Sequence, residues 1–177
     1  MKTNINPFFN ALIVLVIAST IQSCAKKTTT PTPVPTNNLP PSYSFTAFGI
    51  TANGVNYSVS NTYTTSPLVI TGTYGNTTDA NYQTVQITIP GGVIAPTTFT
   101  LNAAASSGGN VGIYTDGPYP NTANYNTNAG HTGILNITKV DLMNRLMSVS
   151  FNFVAQQYAS ANSGTVTVSG SFANIGF

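Results

Sequence analysis

Met147-Ser148-Val149-Ser150-Phe151-Asn152-Phe153 sets four apolar side chains at alternate positions with three small polar ones between them. Successive side chains of a β-strand point to opposite faces, so this spacing gives one apolar face and one face of hydroxyls and amides. The same alternation recurs upstream and downstream. Val85, Ile87 and Ile89 alternate with Thr84, Gln86 and Thr88, and Val166, Val168 and Phe172 with Thr165, Thr167, Ser169 and Ser171. Turn-forming clusters punctuate the runs at Asn53-Gly54, Pro90-Gly91-Gly92, 106–110, Asp116-Gly117-Pro118 and Ser163-Gly164, as many short strands with turns between them require. The pattern predicts about nine or ten strands, at 43–51, 54–60, 67–74, 82–89, 97–102, 110–115, 121–126, 131–139, 146–155 and 164–175. Asn53-Gly54 supplies the two positive-φ residues of a type I′ hairpin turn. The expected fold is all-β, a single antiparallel β-sandwich over residues 43–177 with Phe151, Phe153 and Phe172 at its centre.

The residues before this domain read as an export signal and a tether. Lys2 precedes an apolar stretch from Phe8 to Ile21, 14 residues interrupted by Asn10, where a membrane-spanning helix needs about 20. Ile21-Gln22-Ser23-Cys24 resembles the lipobox of bacterial lipoprotein precursors. Its cysteine accepts a diacylglycerol and becomes the first residue after cleavage. Residues 1–23 are thus expected to be a signal peptide that is removed, and Cys24 the lipidation site. Cys24 is also the one cysteine in the chain, so no internal disulfide can form. Each buried methylene of an acyl chain contributes about 0.8 kcal/mol, and two or three chains make a lasting anchor. Within residues 24–42, the run Thr28 to Pro41 carries five prolines and five threonines. Such a run cannot bury apolar surface; extended at about 3.1 Å per residue it is a flexible spacer.

Charge sets the outer limits on function. Only 5% of residues are Asp, Glu, Lys or Arg, against about 25% in ordinary domains. Beyond the spacer there remain Asp79, Asp116, Asp141, Lys139 and Arg145. That distribution offers no basic patch for phosphates and excludes nucleic-acid binding. Solubility falls to neutral polar groups, with 21 Asn and 28 Thr in the chain.

Few residues can carry acid–base chemistry. The domain holds one histidine, His131, three aspartates and no glutamate, and no Gly-x-Ser-x-Gly nucleophile motif occurs. The aspartates sit in turn-like contexts, where their side chains bond nearby backbone amides. One histidine is too few for zinc, and no calcium-loop spacing is present around Asp116. The reading is a protein that is not an enzyme, with no catalytic residues, no metal site and no cofactor. The stretch Tyr114 to Asn128, YTDGPYPNTANYNTN, reads instead as a long polar loop with Tyr114, Asp116, Tyr119 and Tyr125 as ligand-binding candidates. Tyrosine offers a flat apolar face with a hydroxyl, and asparagine offers paired donors and acceptors.

The C-terminal third carries a resemblance. Gly133-Ile134-Leu135-Asn136-Ile137-Thr138, the turn through Asp141, the strand from Met147 to Phe153, and GTVTVSGSFAN over 164–174 resemble a family of Bacteroidota lipoproteins classed as a domain of unknown function. Ala52-Asn53-Gly54-Val55-Asn56-Tyr57 is similar to the opening hairpin of that family. Ser148-Val149-Ser150 departs from its usual Ser-Gly-Thr. The resemblance implies a lipid-anchored β-domain and names no activity. Lipoprotein sorting patterns add that Ala25, in place of an aspartate, points to the outer membrane, with its facing side open. The expected function is a non-catalytic binding or accessory module of the cell envelope that holds a glycan or an envelope protein. The alternative is a structural or adhesive protein that self-associates, and a small outer-membrane barrel or a hydrolase stands further off.

Overall fold

The computed structural model describes residues 40–54, 56–60, 67–93, 95–158 and 164–177. The signal segment, Cys24 and most of the spacer lie outside the described residues. Among the described residues there are eleven strands and no helix: β1 (Ser42–Ala47), β2 (Ile50–Gly54), β3 (Tyr57–Ser60), β4 (Leu68–Tyr74), β5 (Gln83–Ile89), β6 (Thr97–Leu101), β7 (Val111–Asp116), β8 (Ala123–Asn126), β9 (Gly133–Asp141), β10 (Leu146–Gln157) and β11 (Thr165–Gly176). All pairings are antiparallel, as the period-two alternation of short strands requires.

The first predicted strand is two. Residues 42–47 and 50–54 form a hairpin in register Ala47↔Ile50. The turn between them is Phe48-Gly49, with φ of 50° and 76°, the two positive values of a type I′ turn. Asn53-Gly54 is therefore not the hairpin turn but the end of β2. Gly54 serves there by having no side chain: a Cβ at this site would lie 2.7 Å from the Tyr43 hydroxyl oxygen.

One sheet contains all eleven strands, in the order β2-β1-β11-β10-β8-β7-β5-β4-β3, and it forks at β10. The long β10 pairs with β9 from Leu146 to Phe153 and with β8 only at Gln156 and Gln157. β9 in turn carries β6. Register shifts occur beside Ser148 in the pairings of β10 with β11 and with β9; on β11 the shift leaves Asn174 at φ 51° and both Asn174 and Ile175 buried. Bulges of this kind bend and coil a strand. The sheet curls until its two ends face each other, with the Tyr43 hydroxyl donating to the Thr73 carbonyl and the Gly176 N–H donating to the Tyr57 hydroxyl at 3.4 Å. The result is a nearly closed, barrel-like sheet rather than two separate ones.

Its inner face holds the apolar set read from the sequence. Phe45, Leu68, Ile70, Val85, Ile87, Leu135, Phe153 and Phe172 are at most 1% exposed. The rings of Phe151, Phe153 and Phe172 stack or tilt against one another at 5.8 to 6.0 Å, so these three residues are central to the core.

Candidate functional site

The stretch from Tyr114 to Asn128 is a hairpin of β7 and β8 rather than a long loop, and its register decides which tyrosines can meet a ligand. Tyr114 pairs with Tyr125, and both point inward. Tyr114 is fully buried and Tyr125 nearly so, their ring centroids 5.9 Å apart. Asp116, two residues along β7, lies on the same side. Tyr119 alone of the four candidates is exposed, at the tip of the connection, whose backbone is held by the Tyr119 N–H to the Thr77 carbonyl at 2.7 Å and the Gly117 N–H to the Tyr82 carbonyl at 2.9 Å. Three of the candidates are thus brought together inside the sheet and the fourth is held apart from them.

Burial is the first cause, and the nearby Asp116 carboxylate the second, of pKa values above the ordinary tyrosine value for Tyr114 and Tyr125. Burial likewise raises Tyr43. A folded-state pKa above the unfolded one means that the native state keeps protons the unfolded chain releases above about pH 10. The contribution is fully present below that pH and declines as the pH rises further. The urea midpoint is expected to fall as the pH rises above about 10, while tyrosinate absorbance lags behind that of the urea-unfolded chain. A midpoint that does not change with pH, with a titration curve indistinguishable from that of the unfolded chain, would show that the three tyrosines are not buried.

A different site lies on the outer face of β5, β7 and β8. Strand alternation turns Gln86 and Thr88 outward from β5, Ile113 and Thr115 from β7, and Asn124 and Asn126 from β8. The segment 103–109, between β6 and β7, folds alongside this face because buried Thr127 pins it. The Thr127 hydroxyl donates to the Ala103 carbonyl at 2.9 Å and accepts from the Gly112 N–H at 3.0 Å. Asn110 clamps the base of the segment, its side-chain amide donating to the Thr100 carbonyl and its own carbonyl accepting from the Asn102 and Ala103 N–H groups.

Two hollows result, of about 420 Å³ and about 340 Å³, and both are bounded by Ala105 and Ile113. The first is walled by Asn124, Asn126, Ser106 and Tyr158, and the second by Gln86, Thr88, Pro67 and Pro90. Tyr158 is 74% exposed, and its N–H donates to the Asn124 carbonyl at 2.8 Å, which fixes the ring's base at the rim. The Asn124 side-chain oxygen accepts from the Thr115 hydroxyl at 2.9 Å, leaving its NH₂ group to donate elsewhere. No residue lining either hollow is charged. The groove can therefore offer hydrogen bonds, one aromatic face and a short apolar floor at Ile113.

The sequence reading did not find this groove. Tyr158 follows β10 in the unremarkable string Ala155-Gln156-Gln157-Tyr158, and the wall comes from a segment of alanine, serine and glycine. The histidine and the aspartates lie elsewhere. His131 sits in the turn after β8, its ring Nδ1 3.1 Å from the Asn128 side-chain oxygen. Asp79 accepts from the Asn76 N–H at 2.8 Å, and Asp141 from the Asn144 N–H at 3.0 Å; both are turn-forming contacts. Bonds from Asn144 hold the Asp141 carboxyl below its ordinary pKa. No group of three or more His, Cys, Asp or Glu side chains with metal-binding placement occurs among the described residues. In comparisons with protein-family models, curated proteins and solved structures, no match to the chain was found.

Proposed function

We propose that this chain is a lipid-anchored protein of the bacterial outer membrane whose β-domain is a non-catalytic binding module, and that the outer groove holds a neutral, hydroxyl-rich ligand of the glycan class. The observation that carries the reading is the uncharged lining between Tyr158 and Gln86. A charged ligand would surrender its hydration there without gaining a counter-charge, whereas a sugar can stack on Tyr158 and exchange hydrogen bonds with Asn124, Asn126 and Gln86. The lipobox-like Ile21-Gln22-Ser23-Cys24 and the Thr/Pro-rich spacer support the anchor, and the resemblance to Bacteroidota lipoproteins supports the envelope setting. Polar outward residues on the strands, such as Thr71, Gln86, Asn126, Ser150 and Asn152, argue against a barrel that meets lipid, which needs an apolar outer band. As to layering, we read the curled sheet as a flattened sandwich: a Cβ at Gly72 on β4 would lie 3.0 Å from the Phe172 ring and 3.2 Å from the Tyr43 ring.

The test is a glycan-array screen with the purified chain, followed by calorimetry on whatever binds. Tyr158→Ala should weaken binding by about tenfold, close to 1.4 kcal/mol, with the unfolding temperature unchanged. Undiminished affinity in that variant would move the site away from the groove, and an array without a hit would favour an envelope protein as the partner.

A further inference from the structure

Two buried polar atoms lack a hydrogen-bond partner among the described residues, the Gln83 side-chain oxygen and the Tyr114 hydroxyl. Native structures rarely leave such groups orphaned, and each instance calls for an explanation. Both belong to the same end of the inner face. Gln83 is 5% exposed and stands opposite Asp116 in the β5–β7 register; Tyr114 lies one inward position further along β7. The Asp116 carboxylate is near enough to act on the Tyr114 hydroxyl, by charge and as a side-chain acceptor, without a well-formed hydrogen bond. Every group gathered here can accept a hydrogen bond, and no basic side chain accompanies them.

Phe48 packs on Tyr114 and on its cross-strand partner Tyr125. Its ring packs edge-on against Tyr125 at 5.6 Å and Tyr114 at 6.1 Å, yet it is 51% exposed. Its φ of 50° is a conformation in which glycine or asparagine is at home and a phenylalanine is strained. A half-exposed aromatic in a strained turn, packed on the ring of a tyrosine whose hydroxyl is unpartnered, is a poor choice for stability alone.

We propose that the space beneath Phe48 is a binding pocket for a primary alkylammonium group, with Phe48 as its displaceable plug. The cation's three N–H donors suit Gln83, Asp116 and Tyr114, and the tyrosine faces attract positive charge. An anion would be repelled by the Asp116 carboxylate. None of Phe48, Gln83, Tyr114 and Asp116 lines either hollow of the outer groove. Either a free amine or a lysine side chain presents this chemistry.

The test follows the tyrosine ring signals of the full chain by NMR, the chain having nine tyrosines and no tryptophan. Probes are n-butylammonium, a lysine capped at both termini, and n-butanol as the neutral control. The ammonium probes should shift Tyr114 and Tyr125 signals saturably, the butanol should not, and the relative affinity of the two ammonium probes distinguishes free amine from lysine. Phe48→Ala should tighten binding at least threefold. Asp116→Asn should weaken it at least tenfold, and Gln83→Leu should abolish it while raising the unfolding temperature, a pairing that a merely structural role for Gln83 does not produce. Equal binding of butanol, or no binding by either the parent chain or Phe48→Ala, overturns the proposal and assigns the orphaned atoms to a buried water.

Discussion

Gly170→Ala is expected to destabilise the fold by about 3 kcal/mol or more, the upper end of the cost of overpacking a core. Gly170 lies in the middle of β11, opposite Phe45 on β1 and Phe151 on β10. A Cβ there would fall 2.3 Å from the Ser44 carbonyl oxygen, 2.7 Å from the Phe151 ring and 2.8 Å from the Phe45 Cα. Two of those three atoms are backbone, so a rotamer change cannot make room and strand β1 itself must move. Urea unfolding measures the loss. Adding Phe151→Leu to Gly170→Ala should not restore stability, because the ring is the lesser obstacle. A single variant within about 1 kcal/mol of the parent would show that the register of β1 on β11 is wrong.

The same arrangement recurs around the inner face and explains why glycines interrupt the apolar strands. Gly72 lies under Phe172 and Tyr43, Gly112 under Phe153, and Gly54 under Tyr43. In each case an aromatic ring from another strand covers the place where a side chain is missing. Such pairs allow a sheet to curl tightly without a void, and they connect a compositional feature of the sequence to the near closure of the barrel.

Alternation makes the strands legible, because a half-buried strand must display it whatever its partners. Residues 83–89, 146–157 and 165–176 emerge from periodicity alone with boundaries within about two residues. Alternation does not tell a sandwich from a barrel-like sheet, since both bury one face. What joins all eleven strands into one sheet is the fork at β10, where one strand pairs with three others, a long-range fact with no local signal. The Phe48-Gly49 turn is hidden for a related reason. Asn53-Gly54 is the better turn dipeptide by local preference, but the fold needs Gly54 beneath Tyr43. At the site, β7 inverts the simple expectation: Ile113 faces outward and Tyr114 inward. Tyr114 is long enough to meet Phe45 edge-on with centroids 6.4 Å apart, and that requirement is set by a strand 69 residues away in the chain. Polarity alone therefore reads three inner-face residues as loop ligands and passes over Tyr158.

Phe153→Ala is expected to cost about 3 to 5 kcal/mol, the usual loss for deleting a buried aromatic, and to lie in the upper part of that range. The cost of such a deletion depends on how far the surroundings can collapse into the vacated space. Phe153 is fully buried, and its neighbours cannot follow it inward. A Cβ on Gly112 would be 3.0 Å from its ring, and one on Gly133 would be 2.1 Å from its Cβ. Both neighbours are backbone without side chains, fixed in the β5–β7 and β9–β10 ladders, so neither can swing into the gap. Restoring volume from the other side is equally closed, since Gly133→Ala would meet the Asn152 carbonyl oxygen at 2.4 Å whatever residue stands at 153. Phe153→Leu, which keeps most of the volume, should cost clearly less than Phe153→Ala. Equal losses in the two variants would mean that ring stacking with Phe151, at 6.0 Å, outweighs cavity volume. A loss below about 1 kcal/mol in the alanine variant would place residue 153 on the outer face and reverse the inward assignment of β10 along its length.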